Sequence, residues 1–252
     1  GTGGDSARGK RGAIGWWPVR ERFRDRLRVV HLSARLLTGR RYWIAALIPL
    51  VWPAFEAFRI LVGWQPETYR PVEAQNILIG LPLSVLAIFL GVRVIAGEMD
   101  RRTLEIAYTV PGGAHRVWLG KMAAGCLILI AAEAVLTGAA LAFFTSVPAG
   151  ALYGAYQAAV FYFVLATGLA ALFRSEITGA MAAVAILALN GLLTGFGGNQ
   201  SRLSPFFNPL AIEGVSPEDV LAWTVQNRIG CILAIAALAF ARAERREKLL
   251  GG

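Results

Sequence analysis

The chain has 252 residues, of which 56% are hydrophobic and 16% charged, and its formal net charge is +9. Soluble domains usually have about 25% charged residues, so this composition excludes an ordinary soluble domain and indicates a membrane protein. The positive charge flanks the apolar runs instead of forming one patch, which argues against nucleic acid as a partner, and Cys126 and Cys231 sit inside apolar runs, with no disulfide framework or metal motif.

Residues 1–41 combine a polar start with a basic amphipathic segment. The first dozen residues, GTGGDSARGKRG, predict disorder. Beyond them an apolar stripe recurs at helical spacing: Val19, Phe23, Leu27, Val30, Ala34 and Leu37. Arginines cover the remaining surface, so we expect an interfacial helix in the cytoplasmic headgroup plane. The alternative is a solvated basic tail.

Residues 42–241 contain six runs long enough to cross a membrane, which takes about 20 mostly apolar residues. The runs are Tyr42–Trp64, Asn76–Ala96, Trp118–Phe144, Ala151–Phe173, Ile177–Phe196 and Val220–Phe240. The fourth and fifth are separated by only three residues, so a long hairpin is an option there. The sequence predicts an all-α, polytopic membrane protein with six transmembrane helices behind the N-terminal amphipathic helix.

The distribution of Lys and Arg predicts the orientation of the spans. With the N-terminus inside, all but four of the 25 basic residues face the cytoplasm; those four are Arg59, Arg70, Arg202 and Arg228. Both termini are therefore expected in the cytoplasm of a cell with the chain in its inner (cytoplasmic) membrane, and residues 242–252 form a cytoplasmic tail. An outer loop is expected at residues 197–219, where Phe206 and Phe207 are candidates to dip into the membrane interface.

A charged segment near residues 98–110 interrupts the apolar sequence between the second and third runs. Glu98 is placed to pair with Arg101 or Arg102, and Arg101 with Glu105, at i, i+3 and i+4 spacing on a helix. Leu104 and Tyr108 share the opposite face. Pro111 then ends the segment. The pattern predicts a short amphipathic cytoplasmic helix; an ordinary solvated loop is the alternative.

The same segment resembles a signature of ABC-2-type transporter permeases. Glu98, Arg101, Thr103, Leu104 and Glu105, followed by Pro111 and Gly120-Lys121, match that family's "GE…R-G-T-L-E…P…GK" pattern, with Arg102 where the family commonly has Gly. The stretch SPFFNPL is similar to the family's "SP-x-NP" pattern before the last span. The resemblance extends over nearly the whole chain.

The resemblance implies that the segment is a coupling helix that docks on separate ABC ATPase (nucleotide-binding) subunits. The coupling residues would be Glu98, Arg101, Arg102, Thr103, Leu104, Glu105 and Tyr108. It also implies a dimer with a second permease subunit, of the same or another kind, and favours export. The chain has no G-x-x-x-x-G-K-[ST] motif, so ATP is expected to be bound and hydrolysed by the partner, and the chain is expected to be no enzyme and to need no cofactor of its own.

Four polar residues lie well inside the apolar runs, where ionisable groups are functional candidates. Glu133, Gln157 and Asn190 form the candidate intramembrane polar site. Glu56 lies three residues before Arg59, so these two are expected to pair. No catalytic or metal-ligating set is evident, because His31 and His115 are far apart in sequence.

A rival class of function stays open at this stage. The chain would then be a non-transporting membrane anchor or assembly subunit, or an intramembrane enzyme that uses Glu133 with Asn190. The presence of an ATPase partner distinguishes the two classes, because only the permease requires one.

Overall fold

A computed structural model describes residues 19–64, 69–100, 114–195, 201–212, 214–224 and 229–244. Every regular element in these ranges is helical, and none of the residues in them forms a strand. Within the described residues, five helices are long and apolar enough to cross a membrane; they are called here the first to fifth spans: Trp43–Leu61, Pro71–Gly97, Val117–Phe143, Ala149–Phe173 and Glu176–Thr194. The all-α class and the character of a multi-span membrane protein are thus confirmed.

The sixth predicted run, Val220–Phe240, falls on two separate helices. A short helix covers Pro217–Ala222, and the C-terminal helix covers Gly230–Glu244, with residues 225–228 between them outside the described ranges. The apolar part of the C-terminal helix, Gly230–Arg242, is shorter than the other spans. The count of six spans therefore stays a prediction.

The N-terminal helix runs from Val19 to Thr38. In its second half the apolar stripe faces the protein, since Ala34 and Leu37 are buried and Val30 packs against the same core. This half rests mainly on the third span. Its placement in the headgroup plane stays a prediction.

Proline shapes the first span. The helix Tyr42–Leu47 gives way to a 3₁₀ turn at Ile48–Leu50 and resumes at Val51–Leu61. Proline has no N–H to donate and its ring crowds the preceding turn, which explains the break at Pro49. The outcome is a bent helix, with Pro49 and Pro53 buried on its inner side.

The second span is the centre of the bundle. Its most apolar window is 72% buried, against 22% for the first and fifth spans. It begins with Pro71–Glu73, continues as a π-helical turn at Ala74–Gly80 and then becomes an α-helix at Leu81–Asp100. Within the π turn the Leu81 N–H donates to the carbonyl of Asn76. Pro82 comes directly after this turn. Proline has no backbone N–H and is tolerated in the first turn of an α-helix, which is where Pro82 lies.

The second, fourth and fifth spans pack at backbone distance. A Cβ on Gly91 would overlap the carbonyl oxygen of Phe163 in the fourth span, and a Cβ on Gly179 in the fifth would lie 2.5 Å from the Cα of Ala170. Gly179 thus allows the fourth and fifth spans to approach closely, and Ala183 one turn later is also buried. Gly230 and Ala234, a pair of small residues on the C-terminal helix, are exposed.

The fourth and fifth spans are two separate helices joined by a tight turn. The long hairpin that the sequence left open therefore consists of these two spans. Arg174 adopts a left-handed conformation with φ of 57°, which ends the fourth helix at Phe173. Ser175 then caps the fifth helix, because its hydroxyl accepts a hydrogen bond from the Thr178 N–H at 3.4 Å.

Candidate functional site

The predicted coupling helix lies almost wholly outside the described residues. The helix of the second span continues to Asp100 and so includes the backbone of Glu98, and the next helix begins at Ala114. The remaining predicted coupling residues fall in the undescribed range 101–113: Arg101, Arg102, Thr103, Leu104, Glu105 and Tyr108. Their role stays a prediction, and the structure supplies the two ends to which they attach.

A polar junction gathers three helices just before that segment. The Arg93 side chain of the second span donates from Nη1 to the carbonyl of Leu37, near the end of the N-terminal helix, at 3.2 Å. Its Nε lies 3.7 Å from Oε2 of Glu176, at the start of the fifth span. Arg93 therefore connects the second span to two other helices at one level.

The same end of the second span is also attached to the third. Lys121, which is almost fully buried, donates from Nζ to the carbonyl of Val94 at 3.2 Å. The carboxylate of Glu176, in the fifth span, lies next to Gly97 of the second span. A Cβ added at Gly97 would lie 2.8 Å from Oε1 of Glu176. Neither of these contacts was predicted from the sequence. The position of Arg93 and Lys121 inside otherwise apolar helices was the signal of a structural role.

The opposite end of the second span holds a buried amide cluster. Asn208, in the loop that the sequence predicts on the outer side, donates from Nδ2 to Oε1 of Gln75 at 2.8 Å and to the carbonyl of Gly150 at 2.7 Å. Gln75 in turn donates to Oδ1 of Asn76 at 3.0 Å and to the carbonyl of Phe206 at 3.3 Å. This outer clamp (Gln75, Asn76, Asn208 and their backbone partners) joins the π turn, the fourth span and the loop.

The loop sequence SPFFNPL is held in this clamp by its own side-chain hydrogen bonds and by one buried ring. Ser204 accepts a hydrogen bond from the Phe206 N–H at 3.2 Å, and Asn208 accepts one from the Leu210 N–H at 3.0 Å. The Phe206 ring is buried against Tyr162, at 6.0 Å between ring centroids, and against Gly80. The expectation that Phe206 dips into the interface is thus wrong, because the ring fills a pocket in the protein instead.

The three residues of the candidate intramembrane polar site are on three different spans. Glu133 is on the third, Gln157 on the fourth and Asn190 on the fifth. In the described part of the chain, Oε1 of Glu133, Oε1 of Gln157 and Nδ2 of Asn190 are buried and have no hydrogen-bond partner. No hydrogen bond among the described residues joins these three atoms.

Gln157 is the best placed of the three to meet a small molecule. It lines a cavity of about 220 Å³ between the fourth span and the C-terminal helix, together with Tyr153, Tyr156 and Ile232. Its Oε1 is buried with no hydrogen-bond partner among the described residues, which costs about 1–3 kcal/mol.

The predicted pair of Glu56 and Arg59 is confirmed. Nη1 of Arg59 lies 3.0 Å from both carboxylate oxygens of Glu56, which is buried in the first span. The Tyr69 hydroxyl donates to the same carboxylate at 2.6 Å. The charge is thus neutralised and tied to the start of the second span, as the cost of a buried carboxylate requires.

We expect Tyr69→Phe to lower the free energy of unfolding by about 1–2 kcal/mol, because a hydrogen bond to a charged group is lost while Arg59 stays. The ring contact with Phe144, at 5.9 Å between centroids, is retained. Unfolding in detergent, followed by circular dichroism, measures the change. Tyr153→Phe is the control, since Tyr153 packs edge-on against Trp223 at 5.6 Å and has no hydrogen bond within the described ranges; equal effects in the two variants would contradict the assignment.

Among the residues that the structure describes, no group of three His, Cys, Asp or Glu side chains is close enough to hold a metal ion. A scan against protein-family models found no match for the chain, and a search of curated proteins found none either. The two ends of the second span are the parts of the molecule that bear most on its function.

Proposed function

We propose that the chain is the membrane-spanning permease subunit of an ABC-2-type transporter. The observation that supports this best is the second span, a buried central helix with a fixed polar junction at one end and the outer clamp at the other. Residues 101–113, which resemble the family's coupling segment, directly follow the junction. A push on that segment would reach the outer loop through one continuous helix.

The polar junction has the properties that such a lever requires. Arg93 and Lys121 attach the second span to the N-terminal helix, the third span and the fifth span within a few residues of its end. Buried charge-assisted hydrogen bonds are stronger than neutral ones and have defined geometry. A displacement of the coupling segment would therefore move several helices together, which is what alternating access needs.

The complete transporter would contain this chain, a second permease subunit and two ATPase subunits on the cytoplasmic side. In this proposal six spans cross the inner membrane, both termini are cytoplasmic, and the N-terminal helix lies at the membrane surface. Export is the favoured direction. ATP is bound by the partner subunits, in keeping with the missing Walker sequence.

We expect Leu104→Asp or Glu105→Ala to reduce co-purification of the ATPase subunit by about tenfold or more, which corresponds to about 1.4 kcal/mol of lost binding. Leu104 would be the apolar anchor of the docked helix and Glu105 would fix its register. The measurement is a pull-down of the tagged chain from its native membrane, with ATPase activity of the eluate as the readout.

Leu203→Asp is the matched control for this pull-down. Leu203 is 90% exposed in the outer loop, so the same change of side chain occurs at the far end of the second span. Membrane insertion and yield should be unchanged in all three variants. If both coupling variants retain the ATPase as well as Leu203→Asp does, or if no ATPase co-purifies with the unmodified chain, the proposal is wrong.

A further inference from the structure

An open apolar groove runs between the first and second spans. It encloses about 600 Å³ and is lined by side chains of both helices without a single charged group. Trp52 and Phe55 form one wall, and Val85 and Phe89 form the other. Phe55, Val85 and Phe89 are each more than 40% exposed, so these rings and methyl groups face whatever fills the groove.

Both walls of the groove contain a proline at an irregular turn. Pro49 lies in the 3₁₀ turn of the first span, and Pro82 follows the π turn of the second. Both prolines line the groove. Prolines and π turns are usual sites of irregular helix geometry, and the groove lies where both spans have one.

The Arg93 side chain lies at one end of the groove, beside the lining residue Phe89. The guanidinium of Arg93 lies over the Phe89 ring, 4.2 Å from its centroid, and the Arg93 side chain is 30% exposed. Arg93 also reaches the carbonyl of Leu37, and Arg40 and Arg41 follow three and four residues later, both exposed. Glu176 offsets one of these charges. The groove therefore ends at Arg93, and Arg40 and Arg41 add positive charge just after the residue that Arg93 contacts.

We propose that this groove is a binding site for an anionic phospholipid of the bilayer. One acyl chain fills the slot between Trp52 and Phe89, and the phosphate lies among Arg93, Arg40 and Arg41. The acyl chain gains little over bulk lipid, which is equally apolar, so the arginines supply the preference for an anionic headgroup. The volume is within the usual range for a ligand pocket.

Charge argues against a second copy of this chain in the same groove. Two copies in a membrane are related by an axis along the membrane normal, so residues at the same depth face each other. Arg40 and Arg41 of one copy would then approach those of the other, and juxtaposed like charges disfavour an interface. A negatively charged headgroup removes that conflict.

The test uses the fluorescence of Trp52 in vesicles of phosphatidylcholine. A small fraction of the lipid is replaced by phosphatidylglycerol with brominated acyl chains, or by phosphatidylcholine with the same chains, since bromine quenches a nearby indole. The Trp52 signal is the difference between the unmodified chain and Trp52→Phe. We expect brominated phosphatidylglycerol to quench this signal at a mole fraction about tenfold lower than brominated phosphatidylcholine.

Charge variants separate a site from general solvation by lipid. Arg40→Gln with Arg41→Gln should bring the two quenching curves together, whereas Arg202→Gln at the other end of the second span should leave them apart. Both changes are at exposed side chains, so folding should be retained. Equal quenching by the two lipids in the unmodified chain overturns the proposal. So does protection of Trp52 from both lipids, the result expected if a second copy covers the groove.

Discussion

Gly91→Ala is expected to destabilise the bundle strongly although it adds only one methyl group. The new Cβ would overlap the carbonyl oxygen of Phe163 and lie 3.0 Å from the Cβ of Ala166. Both obstacles belong to a helix and cannot rotate away. The second and fourth spans would have to separate, and the hydrogen bond between them from the Thr167 hydroxyl to the carbonyl of Gly91, now 3.0 Å, would lengthen.

Overpacking of a well-packed core usually costs about 1–3 kcal/mol, and we expect about 3 kcal/mol here because the contact is with backbone. Gly138→Ala is the control, since nothing lies within 4 Å of a Cβ at that position of the third span. Alanine favours a helix over glycine by up to about 1 kcal/mol, so this control should be neutral or stabilising. Unfolding in detergent measures both variants. If Gly91→Ala and Gly138→Ala shifted the unfolding curve equally, the close approach at Gly91 would not be what holds the second and fourth spans together.

The positions of the first five spans could be read from the sequence because they depend only on local hydropathy. The predicted fourth span, Ala151–Phe173, differs from the observed Ala149–Phe173 by two residues at one end. A turn at Arg174 and Ser175 also follows from local chemistry. The last run was harder, since its apolar part ends at Arg242 after only a short helix.

The contacts at the two ends of the second span could not be read from the sequence. Gln75 and Asn208 are 133 residues apart and meet only because the outer loop folds back on the π turn. Phe206 was expected in the interface because a paired aromatic in a loop is typical of that position, and tertiary packing against Gly80 decided otherwise. Hydropathy shows that a segment is apolar, and it does not show which neighbour covers it.

Asn208→Ala is expected to open the outer clamp and to lower the free energy of unfolding by about 2–4 kcal/mol. The substitution removes both donors of the amide, so Oε1 of Gln75 and the carbonyl of Gly150 lose the bonds of 2.8 and 2.7 Å. Each buried polar group left without a partner costs about 1–3 kcal/mol. The space beside Gly154, where the Asn208 amide now fits, would also become a cavity.

Asn190→Ala is the matched control for this experiment. Nδ2 of Asn190 is buried without a hydrogen-bond partner among the described residues. Removing this amide nitrogen therefore breaks no hydrogen bond that it makes, and it relieves the cost of a buried unpaired donor. For a chain of this size about 3 kcal/mol lowers the unfolding midpoint by roughly 5–10 °C, and the control should stay within about 2 °C of the unmodified chain.

Asn208→Asp should behave like Asn208→Ala, because a carboxylate cannot donate to Gln75 or Gly150. If Asn208→Asp retained full stability, the amide donors would not hold the loop, and the second span would lack the fixed outer end that a lever requires.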